Sequence, residues 1–171
     1  MSDLTSLATQ KIEAAEQARL KALPREIEAI KHEHAAKGIA RSGATLKRVR
    51  QLCIASLHGH GETIASEYKW AIQHALLASQ TWSEELASEV PALLSLLMTE
   101  ITQKLTEVAA FTGSPELADR LISDVEAERL VAESNAKLAI RSAFAEKKRG
   151  LVRALPGTFL SFVAKTFRPG P

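Results

Sequence analysis

The sequence predicts an all-α fold, an elongated bundle of four to six helices, on three observations. Alanine, leucine, glutamate, lysine and arginine dominate, and these residues lose little side-chain freedom in a helix. Aromatics make up only 5% of residues, and no strand-like alternation of useful length is present. Apolar residues instead recur at three- and four-residue steps over long stretches, in stripes narrow enough for a bundle or coiled-coil seam.

Ser2 or Asp3 can cap a first helix carrying Leu4, Leu7, Ile12, Leu20 and Leu23. Pro24 marks a kink or the first turn of a new helix. The heptad-like spacing continues through Ile27, Ile30 and His34, and after a shift of frame through Ile39, Leu46, Val49 and Cys53, so 3–57 reads as one long helical arm. Gly59 and Gly61 are expected to end it. A second helix is expected over 62–79, burying Ile64, Tyr68, Ala71, Ile72, Ala75 and Leu76. Thr81-Trp-Ser-Glu84 has the form of a capping box and opens a third helix, interrupted or kinked at Pro91. Its core pattern runs through Leu93, Leu94, Leu97, Ile101, Leu105 and Val108 to Phe111 and Gly113. Ser114-Pro115-Glu116 combines a cap, a proline at the first helical position and an acid at the positive end of the dipole. From there a long helix near 115–149 should reach Gly150, roughly 50 Å at about 1.5 Å per residue. Pro156-Gly157 breaks the tail, and Thr158 can cap a short C-terminal helix with Phe159, Leu160, Phe162, Val163 and Phe167.

At 171 residues the chain can bury roughly two thirds of its unfolded surface without disulfides. Residues 1–150 are expected to form the helical bundle domain, and 151–171 a basic, Phe-rich C-terminal tail. The single cysteine, Cys53, sits between Leu52 and Ile54 and reads as a small buried hydrophobe. The first thirty residues are charged throughout, and low-charge runs such as Val90 to Thr99 fall short of the about 20 residues a bilayer span needs. A soluble cytoplasmic protein is expected. The net charge of +2 conceals segregation: residues 37–61 hold five basic groups and no acid, and 141–171 hold seven basic groups and one acid.

The segment His58-Gly-His60-Gly-Glu62 poses the question of a metal site. Zinc needs three or four converging ligands, and two histidines at i and i+2 of a helix point about 200° apart. His58, His60 and Glu62 are therefore weak ligand candidates unless a loop brings them together, and a turn between helices is expected; no metal and no cofactor are assigned. Gly38 to Thr45 matches the frame of a phosphate-binding loop, but Ala44 stands where the lysine should be. Ala36, Ala40, Gly43 and Ala44 read instead as a small-residue strip permitting close helix approach. Arg50 and His58 resemble the R-x4-6-H ribonuclease pair of HEPN domains, which are all-α; seven residues separate them here, one too many, and the role is not carried over. Glu126, Glu128 and Glu133 read as a solvated helix face, and no catalytic constellation emerges.

Two surfaces remain. Lys37, Arg41, Lys47, Arg48 and Arg50 are candidate anion contacts. Arg153, Phe159, Phe162, Lys165, Phe167 and Arg168 suit docking to a partner's groove or a membrane surface. The expected role is a non-enzymatic interaction or scaffold protein that self-associates as a homo-oligomer through its first and longest helices and docks a protein partner or membrane surface through its tail. The alternatives are a nucleic-acid-binding accessory protein using basic residues 37–50 and 141–153, and a histidine-dependent metal enzyme.

Overall fold

The computed structural model describes residues 2–154 of the chain, with side chains described for 3–150. Four long helices follow one another: α1 (Ser2–Ala36), α2 (Gly43–His74), α3 (Gln80–Phe111) and α4 (Ala118–Ala154), with one 3-10 turn, Pro115–Leu117, before the last. No strand occurs among the described residues. Each helix is 32 to 37 residues long, so the bundle is roughly 50 Å from end to end.

Short connections make successive helices antiparallel. Cross-helix pairs fix the directions. Lys11 of α1 meets Glu67 of α2 while Arg19 meets Ser56, so these two helices run in opposite senses. Arg50 meets Asp124 and Lys147 meets Ile72, so α2 and α4 run in the same sense. The helix pair α2 and α3 forms the close diagonal of the bundle; α4 packs on both, and α1 packs on both from the other side without touching α4.

The stripes predicted by the sequence make the core. Ile12, Leu23 and Ile27 of α1, Val49, Cys53, Leu57, Ile64, Tyr68 and Ile72 of α2, and Leu86, Val90, Leu94, Leu97, Ile101, Leu105 and Val108 of α3 are almost completely buried. The inward face of α4 is smaller, with Ala132, Ala136 and Ala143 sharing it with Val125 and Ile140. Small residues there let α4 lie close to α2, where Gly61 faces Ala132: a Cβ built on Gly61 falls 3.4 Å from Ala132 Cβ.

Several expected boundaries move. The arm over 3–57 is two helices, because the chain reverses at 37–42. Gly38 takes φ +70, a left-handed conformation that closes α1, and Ser42 Oγ and Thr45 Oγ1 both donate to the Ile39 carbonyl. The shift of frame in the heptad pattern was the turn itself, and Ile39 is left 40% exposed. The small-residue strip admits no neighbouring helix: Gly43 has no atom within 4 Å of a built Cβ, and Ala36 and Ala44 are exposed. Gly59 and Gly61 do not end a helix; both sit inside α2. That helix stops at His74, short of 79, and Leu76, placed on a buried face by its periodicity, is 94% exposed in the loop. The cap of α3 is Ser79, whose hydroxyl accepts the Trp82 amide, rather than Thr81. Pro24 and Pro91 lie within α1 and α3. Gly113 closes α3 at φ +79, Ser114-Pro115 opens the 3-10 turn rather than α4 itself, and α4 passes Gly150 without stopping. The expected short C-terminal helix lies outside the described residues.

Candidate functional site

The core rhythm of α1 and α2 is broken at corresponding levels by an acid in one and a histidine in the other. Along α1 the inward positions are Ile12, Glu16, Leu20, Leu23 and Ile27; along α2 they are Cys53, Leu57, His60, Ile64 and Tyr68. Glu16 and His60 thus occupy places where the spacing calls for leucine, and they meet. His60 Nε2 lies 3.9 Å from Glu16 Oε1, with their side chains 2% and 10% exposed. The same nitrogen is 3.1 Å from the Leu93 carbonyl of α3, which can only accept, so Nε2 carries the proton.

Burial sets the charge states. Desolvation lowers the His60 pKa below its usual 6.5, only partly offset by the bond to Leu93. Desolvation likewise raises the Glu16 carboxyl above 4.5, against a backbone hydrogen bond from Leu97 that favours the carboxylate. At neutral pH the imidazole is uncharged, and its approach to Glu16 is a polar contact rather than an ion pair. Glu16 Oε1 is buried without a hydrogen-bond partner. Such a layer specifies which helix levels face each other more than it adds stability.

Arg19 links the layer to the surface. Its guanidinium holds Glu26 in two hydrogen bonds of 2.8 and 2.7 Å, and Nε donates to Ser56 Oγ at 3.1 Å. A cleft of about 330 Å³ opens there between α1 and α2, lined by Arg19, Ser56, Gly59, His60 and Thr63. On the far side of α2, His58 Nε2 donates to Glu128 of α4 at 2.9 Å. His58 and Glu62 line a second cleft of about 240 Å³ with Asn135. The two histidines therefore diverge as i and i+2 positions on a helix must, one inward and one toward α4. His58, His60 and Glu62 share no common point, and no group of three His, Cys, Asp or Glu able to hold a metal is found among the described residues.

The remaining candidates disperse. Lys37 pairs with Glu33 at 2.5 Å, and Arg41 lies 5.8 Å from the centre of the Phe111 ring. Arg50 pairs with Asp124 at 3.2 Å and His58 with Glu128 at 2.9 Å, so both residues of the HEPN-like spacing are tied to α4. Lys47 and Arg48 stand exposed near the start of α2, whose first turn carries no acid. The second basic group is at the opposite end of the bundle, roughly 35–40 Å away along α2, so the two form no single surface. There Arg141 holds Glu84 through three contacts. Lys147 donates to the carbonyls of Ile72 at 2.6 Å and Gln73 at 3.0 Å, and to that of Ala75. A cation from α4 thereby caps the C-terminus of α2. On the partly exposed face of α4 the three expected acids carry partners: Glu126 and Glu133 take Arg129, Glu133 also takes Lys137, and Glu128 takes His58. Arg153 falls in the last turn of α4 with its side chain undescribed, and Phe159, Phe162, Lys165, Phe167 and Arg168 lie outside the described residues.

Sequence reading missed Glu16, and it placed Lys147 only among the basic residues 141–153 offered to nucleic acid, not as the cap of α2. The signal for Glu16 was present, an acid at the exact place the three-four rhythm reserves for an apolar residue. None existed for Lys147, whose partners are backbone carbonyls 72 to 75 residues away.

The fold defines a class, the up-down-up-down four-helix bundle. No protein-family model matches the chain, and neither does any curated protein or solved structure. No helix among the described residues is long and apolar enough to cross a membrane.

Proposed function

We propose that this chain is a non-enzymatic interaction module of the cytoplasm, a rigid bundle that self-associates and docks a protein partner or membrane surface through its C-terminal end. The observation that carries the reading is an apolar stripe on the outer face of α4: Leu130, Val131 and Leu138 are 54%, 47% and 65% exposed. The inward stripes of α1 and α4 are consumed within one chain, which leaves this outer stripe for a second copy. Glu126, Arg129, Glu133 and Lys137 alternate in sign along the same helix, the flanking pattern of self-associating helices. Light scattering should report a dimer or larger species, and Leu130→Glu with Leu138→Glu should return it to the monomer mass with the helical signal unchanged. A wild-type chain that is monomeric at tens of micromolar overturns self-association.

A second reading, binding of nucleic acid, is favoured by exposed Lys47 beside Arg120 at the end where α2 and α4 begin, with exposed Arg48 next along α2. Because the two basic groups are far apart, this reading now rests on residues 37–50 with Arg120 alone, and a salt-insensitive or absent shift with duplex and single-stranded probes removes it.

A further inference from the structure

The loop between α2 and α3 presents Leu76 and Leu77 at 94% and 78% exposure, more than any other large apolar side chain among the described residues. Exposed leucines at a loop tip lose burial that the bundle could have supplied, since Ala75 beside them is 5% exposed. The three Lys147 hydrogen bonds fix α4 at the level of this loop. The rest of α4, from Lys147 to Ala154, runs on about 10 Å past it. Lys148 and Arg149 are exposed on that projecting segment, and residues 146–153 carry four cations against one acid, Glu146. The chain leaves Ala154 at this same end, and the 17 residues after it include Phe159, Phe162 and Phe167. Paired leucines at a tip with cations at the same end are the elements of interfacial binding: apolar groups enter the acyl boundary while cations meet lipid phosphates.

We infer that this end of the bundle docks on an anionic lipid bilayer, with Leu76 and Leu77 as an insertion point separate from the tail. The inference rests on the docking reading above and names its partner: a negatively charged membrane surface, contacted by Leu76 and Leu77 with Lys148 and Arg149 at the same end of the bundle. Two leucines alone are not expected to hold the protein firmly, whereas leucines and cations presented on one end of the bundle act together.

Sedimentation of the full-length protein with vesicles of equal parts phosphatidylcholine and phosphatidylglycerol tests it, with phosphatidylcholine vesicles as the neutral comparison. Binding is expected to the anionic vesicles and to weaken with added salt. Leu76→Ser with Leu77→Ser should lower partitioning by at least about tenfold, since withdrawal of even one leucine side chain from water is worth that factor. Both side chains are exposed, so the thermal melt should be unchanged. Lys148→Glu with Arg149→Glu should abolish the preference for anionic lipid. If deletion of 155–171 removes binding while the serine variant binds as the wild type does, the loop has no part and the inference fails, though the tail reading stands. If the full chain ignores anionic vesicles yet still self-associates, the membrane is the wrong partner. A fall in solution mass for the serine variant would reassign the leucines to contact between copies.

Discussion

Gly59 and Gly61 flank His60 inside one helix, and their substitution should have different consequences. Glycine in a helix interior costs about 0.5–1 kcal/mol relative to alanine. Gly59 is exposed, and a Cβ built on it meets no atom within 4 Å. Gly59→Ala should therefore stabilise the bundle by about 0.5–1 kcal/mol, raising Tm by about 1–4 °C for a chain of this size. At Gly61 the built Cβ lies 3.4 Å from both the Cβ and the carbonyl oxygen of Ala132. The same helical gain is offset there by a tight contact, so Gly61→Ala should change little, while Gly61→Leu should cost about 1–3 kcal/mol as α2 and α4 are forced apart. Urea melts followed by circular dichroism measure each value, and an unchanged m confirms that only stability has moved. Loss of stability in Gly59→Ala would show that Gly59 needs a conformation closed to alanine. That result would refute the continuous helix and restore a turn at this segment.

His60 gives the bundle a pH response of known sign. Its folded pKa lies below 6.5, so below that pH the unfolded chain binds more protons and stability falls as acid is added, until the folded pKa is passed. Glu16, raised above 4.5, acts in the opposite direction in the window just above 4.5. His60→Gln should flatten the loss measured by urea melts between pH 7 and 5; an unaltered slope would place the sensitivity elsewhere. Cys53 is fully buried and its thiol is pushed up to about 12 by desolvation, so a thiol reagent at pH 8 should label it only at the rate of unfolding. Immediate labelling of the folded protein would contradict the α2 packing.

How much was legible follows from where each signal resides. Periodicity is local, so the stripes of α3, from Leu94 to Val108, could be read directly. Helix ends depend on features outside that rhythm. The break at 37–42 rests on Gly38 at positive φ and on hydroxyls turned back to Ile39, while the spacing on either side imitates one continuous seam. In the same way His58-Gly-His60-Gly-Glu62 invites a turn by its glycines, yet the space at Gly61 serves a neighbouring helix rather than a bend. The end of α2 was hidden for another reason, because the cation that caps it comes from α4. The divergence of His58 and His60, by contrast, follows from helix geometry alone once the segment is helical.

The polar layer also bears on how the molecule can move. Sliding α1 along α2 by one turn would carry Glu16 among Leu57 and Ile64 or strand His60 against an isoleucine, each an uncompensated burial of a polar group. Small shear displacements between these helices therefore have no low-energy stopping point. A force applied at the C-terminal end, where α4 projects, should pass through the bundle as through a strut.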